Sequence, residues 1–134
     1  MKLLLDTHIA LWAVADTSKL THEVITLLES ADHEVFYSAA SVWEIAIKHK
    51  IKPEQMPLSE NEFVSLCEHT GFIRLPIENE HIYLIKTLKR PKDAPKHQDP
   101  FDRMLVAQAK REGLILLTHD SLIPYYEESC IMSV

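Results

Sequence analysis

Glycine is almost missing from this 134-residue chain, with Gly71 and Gly113 the only two. That scarcity excludes a glycine-rich phosphate loop and a dinucleotide-binding fingerprint. Cysteine is equally scarce. Cys67 and Cys130 stand far apart and form no C-x-x-C pair, which argues against a disulfide framework or a thiolate zinc site. Two reduced thiols in a cytoplasmic protein are the expectation. No apolar run approaches the roughly 20 residues of a membrane span. The apolar start imitates a secretory signal, but Asp6 and His8 interrupt it. Basic charge is also in deficit. The formal net charge of -6 lacks the broad positive footprint of a non-specific nucleic-acid binder. A nuclease is not excluded, because a cation can neutralise a cluster of acids. The local basic segments 48–52 and 89–97 can still touch phosphates, although a solvated surface is their ordinary role. Neither G-x-S-x-G nor H-E-x-x-H occurs.

What is present fits one folded unit over residues 1–134. Hydrophobic residues make up 46% of the chain and charged residues 25%, enough for a core beneath a solvated surface. Short apolar runs at 2–5, 34–37, 72–75 and 114–117 read as strands, and 130–134 as an edge strand. Between them lie helical patterns at 9–14, 21–30 (capped by Thr21) and from Ser38 or Ser41 to about Lys50. Further patterns follow at 59–70, 78–88 and from Pro100 to about Glu112. Gly71 and Gly113 stop two of these helices, and Asp99-Pro100 opens the last. Residues 89–98 read as a loop, and 122–126 as a short turn. Strands alternating with helices predict an α/β fold with a mainly parallel sheet covered on both faces.

Four acids stand out against this pattern. Ligands in open α/β sheets bind outside the carboxyl ends of strands. Asp6 follows the first strand and Asp120 follows the fourth, although a turn or helix cap accounts for either alone. Glu44 lies inside a helix with few polar positions. It forms either an exposed pair with Lys48 or a carboxylate near buried surface that needs a partner. Asp102 stands at the third position of its helix, where an acid also favours the helix dipole. Asp99 is assigned as the cap of that helix. Several hard oxygen ligands without a Cys or His cluster favour Mg²⁺ or Mn²⁺. Such a cation relieves the repulsion among the acids, activates a water and stabilises charge on a phosphodiester.

The strings Leu3-Leu4-Leu5-Asp6-Thr7-His8, Ser41-Val42-Trp43-Glu44-Ile45, Asp99-Pro100-Phe101-Asp102-Arg103 and Leu117-Thr118-His119-Asp120 follow one another in order. Together they resemble the successive motifs of PIN-domain nucleases, above all VapC-type toxins of type II toxin–antitoxin pairs. The resemblance spans nearly the whole chain. It implies a three-layer PIN-like sandwich, endonucleolytic cleavage of RNA, and Mg²⁺ or Mn²⁺ held by Asp6, Glu44, Asp102 and the more variable Asp120. It also implies a small cognate antitoxin covering the acidic crevice, and pairing of the chain as a homodimer. Thr118 is placed to orient a water through its hydroxyl or else to satisfy a turn. Arg103 is placed to contact substrate or to form a surface ion pair. His8 and His119 flank two of the acids, with packing or a turn hydrogen bond as their expected role.

Three rivals remain beside this reading. An HD-type phosphohydrolase is prompted by His119-Asp120, but that class is all-helical and this pair follows an apolar β-like run. An inactive PIN-fold binding module conflicts with retention of all four acids. An RNA-processing PIN nuclease that is not a toxin differs from the toxin reading only in its biological target.

Overall fold

The computed structural model describes residues 1–134 and builds them around five parallel strands. In chain order these are β1 (Lys2–Leu5), β2 (Glu34–Ser38), β3 (Ile73–Leu75), β4 (Ile115–Thr118) and β5 (Ile131–Ser133). The helices are α1 (Thr7–Ala15), α2 (His22–Glu29), α3 (Ala39–Ile51), α4 (Glu60–Thr70), α5 (Asn79–Ile85) and α6 (Pro100–Glu112). Short 3-10 turns occupy Thr17–Lys19 and Ile123–Tyr125. Sheet order is β3-β2-β1-β4-β5, so the expected mainly parallel sheet is parallel throughout.

Side-chain alternation along the strands divides the core into two layers. On one face Leu3, Leu5, Val35, Tyr37 and Leu117 pack with Ile9, Val24, Phe63 and Cys67 of α1, α2 and α4. On the other, Leu4, Leu75 and Leu116 pack with Leu105, Val106 and Ala109 of α6 and with Ile123 and Tyr126. The continuous apolar run of β1 follows from this arrangement: a central strand covered on both faces has no solvent side to mark with polar residues.

Local signals set the helix ends. Ser38, rather than Ser41, caps α3 by accepting the Ala40 N–H at 2.9 Å. Ser59 and Glu62 form a reciprocal capping box at the start of α4. Gly71 (φ 91°) and Gly113 (φ 67°) close α4 and α6 in the left-handed region. An added Cβ would meet nothing within 4 Å at either, so it is the backbone angle that requires glycine there.

Two buried polar side chains hold α6 to the sheet and to α5. Gln108 accepts from the Ser38 hydroxyl at 2.5 Å and donates to the Pro76 carbonyl at 3.2 Å. His81 accepts the Glu78 N–H through Nδ1 at 2.9 Å, which leaves Nε2–H to donate to Glu112 at 3.0 Å. No helix is long and apolar enough to cross a membrane.

Candidate functional site

The chain builds outward from β1 through β2 to β3, then returns to place β4 and β5 on the other side. The order therefore reverses between β1 and β4, and a crevice opens at their carboxyl ends. Asp6 and Asp120 project from that end, Asp6 as the N-cap of α1. The Asp6 N–H donates across to the Leu117 carbonyl at 3.0 Å, fixing the two strand ends together. Glu44 enters from the middle of α3 and Asp102 from the first turn of α6.

A cavity of about 80 Å³ results, lined by Asp6, Thr7, His8, Glu44, Lys48, Asp99, Asp102 and Asp120, with no apolar residue among them. All four acids expected from the sequence thus border one space. They are not equally close: ligand atoms of Asp102, Asp120 and His97 lie within 4.8 Å of one another, a grouping that does not include Asp6 or Glu44.

Each carboxylate is held by the protein. Asp6 is 3% exposed. Its Oδ1 accepts the Ile9 N–H at 2.9 Å, and its Oδ2 accepts the Thr118 hydroxyl at 2.5 Å and the His119 N–H at 3.2 Å. Glu44 is also buried: the pair with Lys48 forms, but its carboxylate end is not exposed. Lys48 donates to Oε2 at 2.5 Å, while the buried Thr7 hydroxyl donates to Oε1 at 2.7 Å. Asp120 Oδ1 accepts the N–H groups of Leu122 and Ile123. Asp99 Oδ1 accepts those of Phe101 and Asp102, the cap its sequence context predicts.

Electrostatic strain collects at Asp102. Burial first, then the charges of Asp99, Glu44, Asp120 and Asp6, push its carboxyl up to about 8. Burial likewise raises the Asp6 carboxyl, opposed by its bonds from Thr118, Ile9 and His119. Burial alone would lower the Lys48 ammonium, but its bond to Glu44 and the nearby acids outweigh this and raise it. The site is anionic in excess of its one bound ammonium.

Thr118, Arg103 and Asp99 complete the surroundings of the acids. Thr118 is fully buried, and its only proton goes to Asp6, while its oxygen accepts the Asp120 N–H at 3.0 Å. It satisfies the turn at Asp120 and holds Asp6 in place. Arg103 makes no ion pair or side-chain hydrogen bond and does not line the cavity; its charge acts on His97 and Tyr126. Asp99 is a cap, yet it also borders the cavity.

His8 and His119 pack around Trp12, at ring-centroid distances of 5.9 and 5.5 Å, and His119 Nδ1 lies 2.9 Å from the Val134 carbonyl. His8 nevertheless lines the acid cavity as well. His97 was missed: it sits in a basic, proline-rich loop where a solvated role is the default. Its spacing of five residues from Asp102 was the one available signal.

Comparison with known proteins adds the relationship. A family model described as PIN domain matches residues 3–127. No curated protein matches the sequence. VapBC2 from Rickettsia felis, solved bound to a promoter DNA fragment, aligns at TM-score 0.70 and 12% identity, over 100% of this chain and 99% of that one. VapBC-1 from nontypeable Haemophilus influenzae aligns at 0.55 and 15%, covering 90% and 87% of the two chains. FitAcB from Neisseria gonorrhoeae aligns at 0.55 and 21%, covering 90% and 89%. At these identities the likeness is one of fold.

Proposed function

This chain belongs to the PIN-domain family, and we propose that it is a divalent-metal-dependent endoribonuclease acting as the toxin of a toxin–antitoxin pair. One observation carries the nuclease reading. Acids from four separate parts of the chain border a single polar cavity, and burial together with its acidic neighbours pushes one of them up to about 8. The donors are hard oxygens, and no apolar group intrudes, which fits Mg²⁺ or Mn²⁺. Asp6, Glu44, Asp102 and Asp120 are the residues we assign to hold the cation. When bound, it supplies positive charge and Lewis acidity for attack on a phosphodiester.

The chain's own groups do the positioning. Thr118 and the Ile9 and His119 N–H groups fix Asp6; Thr7 and Lys48 fix Glu44. No serine or cysteine lines the cavity, and the reading uses water as the nucleophile. The oxygen of water bonds to phosphorus while one P–O bond of the RNA breaks, and the departing RNA oxygen ends with a proton that the water has given up. Lys48, half-exposed at the rim, is the cavity's cation for a phosphate to meet.

The partners follow from the VapC-type resemblance, with the VapBC neighbours in support. A small antitoxin covers the acidic crevice, and the chain pairs with a second copy in the cytoplasm. Exposed Trp43, Ile47 and Ile51 of α3, with Ile82 and Tyr83 of α5, offer apolar surface for such pairing.

Purified protein freed of metal by EDTA should leave RNA intact, and added Mg²⁺ or Mn²⁺ should restore cutting. Asp6→Asn should abolish cutting while retaining a cooperative melt. Metal-independent cleavage, or an active Asp6→Asn protein, contradicts the assignment. Expression of the chain alone should arrest a host, and co-expression of the neighbouring small gene should rescue it. Unaffected growth with an active nuclease removes the toxin reading and leaves an RNA-processing enzyme.

A further inference from the structure

His97 lies in the loop between α5 and α6, yet only 4% of its side chain is exposed. Its Nε2 is 3.1 Å from Asp102 Oδ2, and its Nδ1 is 2.8 Å from the Tyr126 hydroxyl. The two rings meet edge to face at 5.4 Å. Tyr126 is 4% exposed and belongs to the core beneath α6. Arg90 lies over the Tyr126 ring at 5.1 Å. Arg90 also donates to the Pro95 carbonyl and, at 3.2 Å, to that of Leu122. The loop carrying His97 is thereby tied to the core on both sides of the ring.

With Asp102 ionised and the imidazole neutral, hydrogen-bond bookkeeping leaves one arrangement. A carboxylate only accepts, so Nε2 must carry the proton and donate. A neutral imidazole then has an accepting Nδ1, and the Tyr126 hydroxyl must donate to it. Asp102 Oδ1 has no protein hydrogen bond. Building on the reading that Asp102 holds a divalent cation, we infer that His97 is a positioning residue. In its Nε2–H form, fixed by Tyr126, it grips one oxygen of Asp102 and leaves the other for the cation. Outer partners of this kind orient a ligand carboxylate and set the affinity of the ion.

The test measures Mn²⁺ binding by the full-length chain, using the electron paramagnetic resonance signal of free ion, in His97→Ala, His97→Gln and Tyr126→Phe. Thermal unfolding in EDTA checks that each is folded. Affinity should fall about 10- to 100-fold in His97→Ala. It should stay within about threefold in His97→Gln, whose amide still donates, and fall severalfold in Tyr126→Phe. With Mg²⁺ bound, ¹⁵N resonances of the wild-type ring should show the Nε2–H tautomer. With Mn²⁺, pulsed measurements should show no nitrogen bound directly to the ion.

Wild-type affinity in His97→Ala, or a loss in His97→Gln as deep as in His97→Ala, overturns the inference. So does an Nδ1–H tautomer, or a directly bound nitrogen that disappears in His97→Ala and marks His97 as a ligand. Should His97→Ala fail to fold, Tyr126→Phe and the tautomer decide. A wild-type chain that binds no Mn²⁺ sinks the metal reading and this inference with it, whereas wild-type binding with an indifferent His97 sinks this inference alone.

Discussion

Replacing Asp102 with asparagine removes a carboxyl whose ionisation the fold opposes. Burial and four neighbouring acids raise that carboxyl from 3.8 to about 8 in the metal-free protein. Between those two values the folded chain holds a proton that the unfolded chain has released. Stability present below the ordinary pKa is therefore lost as pH rises through about 8, at about 1.4 kcal/mol per pH unit where the proton difference is complete. The whole displacement corresponds to about 6 kcal/mol, and screening by water at the mouth of the cavity brings it to about 3. Asparagine has nearly the same shape and no charge to desolvate.

Urea unfolding followed by circular dichroism, in EDTA from pH 4 to pH 8.5, measures the difference directly. Wild type and Asp102→Asn should be nearly equal at pH 4, and the variant should lead by about 3 kcal/mol at pH 8. Other titrating groups are common to both proteins and largely cancel in the comparison. Adding Mg²⁺ at a hundred times its dissociation constant should stabilise wild type by about 2.7 kcal/mol and the variant by much less. A difference that stays flat from pH 4 to pH 8.5, or that favours wild type at pH 8 in EDTA, refutes the reasoning.

Other substitutions separate support from chemistry. Thr118→Val removes the buried donor to Asp6 and should cost about 1–3 kcal/mol. It should also raise the Asp6 carboxyl further, seen as weaker Mn²⁺ binding that recovers as pH increases. Lys48→Met leaves Glu44 buried beside other acids. It should lower stability in EDTA by about 1–2 kcal/mol, a deficit that saturating Mg²⁺ narrows in a thermal-shift series. His81→Leu strands the Glu78 N–H and loosens α5 from α6, for a loss of about 2–4 kcal/mol in urea. Its Mn²⁺ affinity should match wild type, because His81 does not line the acid cavity.

Period and punctuation made most of the fold legible. The apolar runs at β1 and β4 have no polar alternation because both their faces are covered, and the two glycines stop α4 and α6 where left-handed angles are needed. Boundaries moved by a residue or a few. β4 starts at Ile115 rather than Leu114, and α5 ends at Ile85 rather than Leu88. The 3-10 turn at Thr17–Lys19 left no apolar period to read. At the site, chain position placed Asp6 and Asp120 at strand ends and marked Glu44 and Asp102 on their helices, and motif resemblance grouped the four. His97 escaped because its burial comes from Tyr126, 29 residues away, and from Arg90 anchoring the loop. No local pattern encodes a contact of that range.

Treating each acid as either a cap or a ligand was the wrong division, because a carboxylate has two oxygens. Asp6, Asp99 and Asp120 each give Oδ1 to backbone N–H groups at the start of a helix or turn. Those donors fix one oxygen of each carboxylate at a cap or turn while the residue still borders the cavity. The same helix and turn starts that end the strands therefore supply much of what lets like charges gather. Glu44 and Asp102 accept no backbone N–H; Glu44 takes the Thr7 hydroxyl and the Lys48 ammonium instead, whereas the only partner of Asp102 is a histidine ring. Burial, then the charges of Asp99, Glu44, Asp120 and Asp6, push the Asp102 carboxyl to about 8, and no backbone N–H or ammonium on that carboxylate offsets them. A cation held beside it would supply the missing opposite charge.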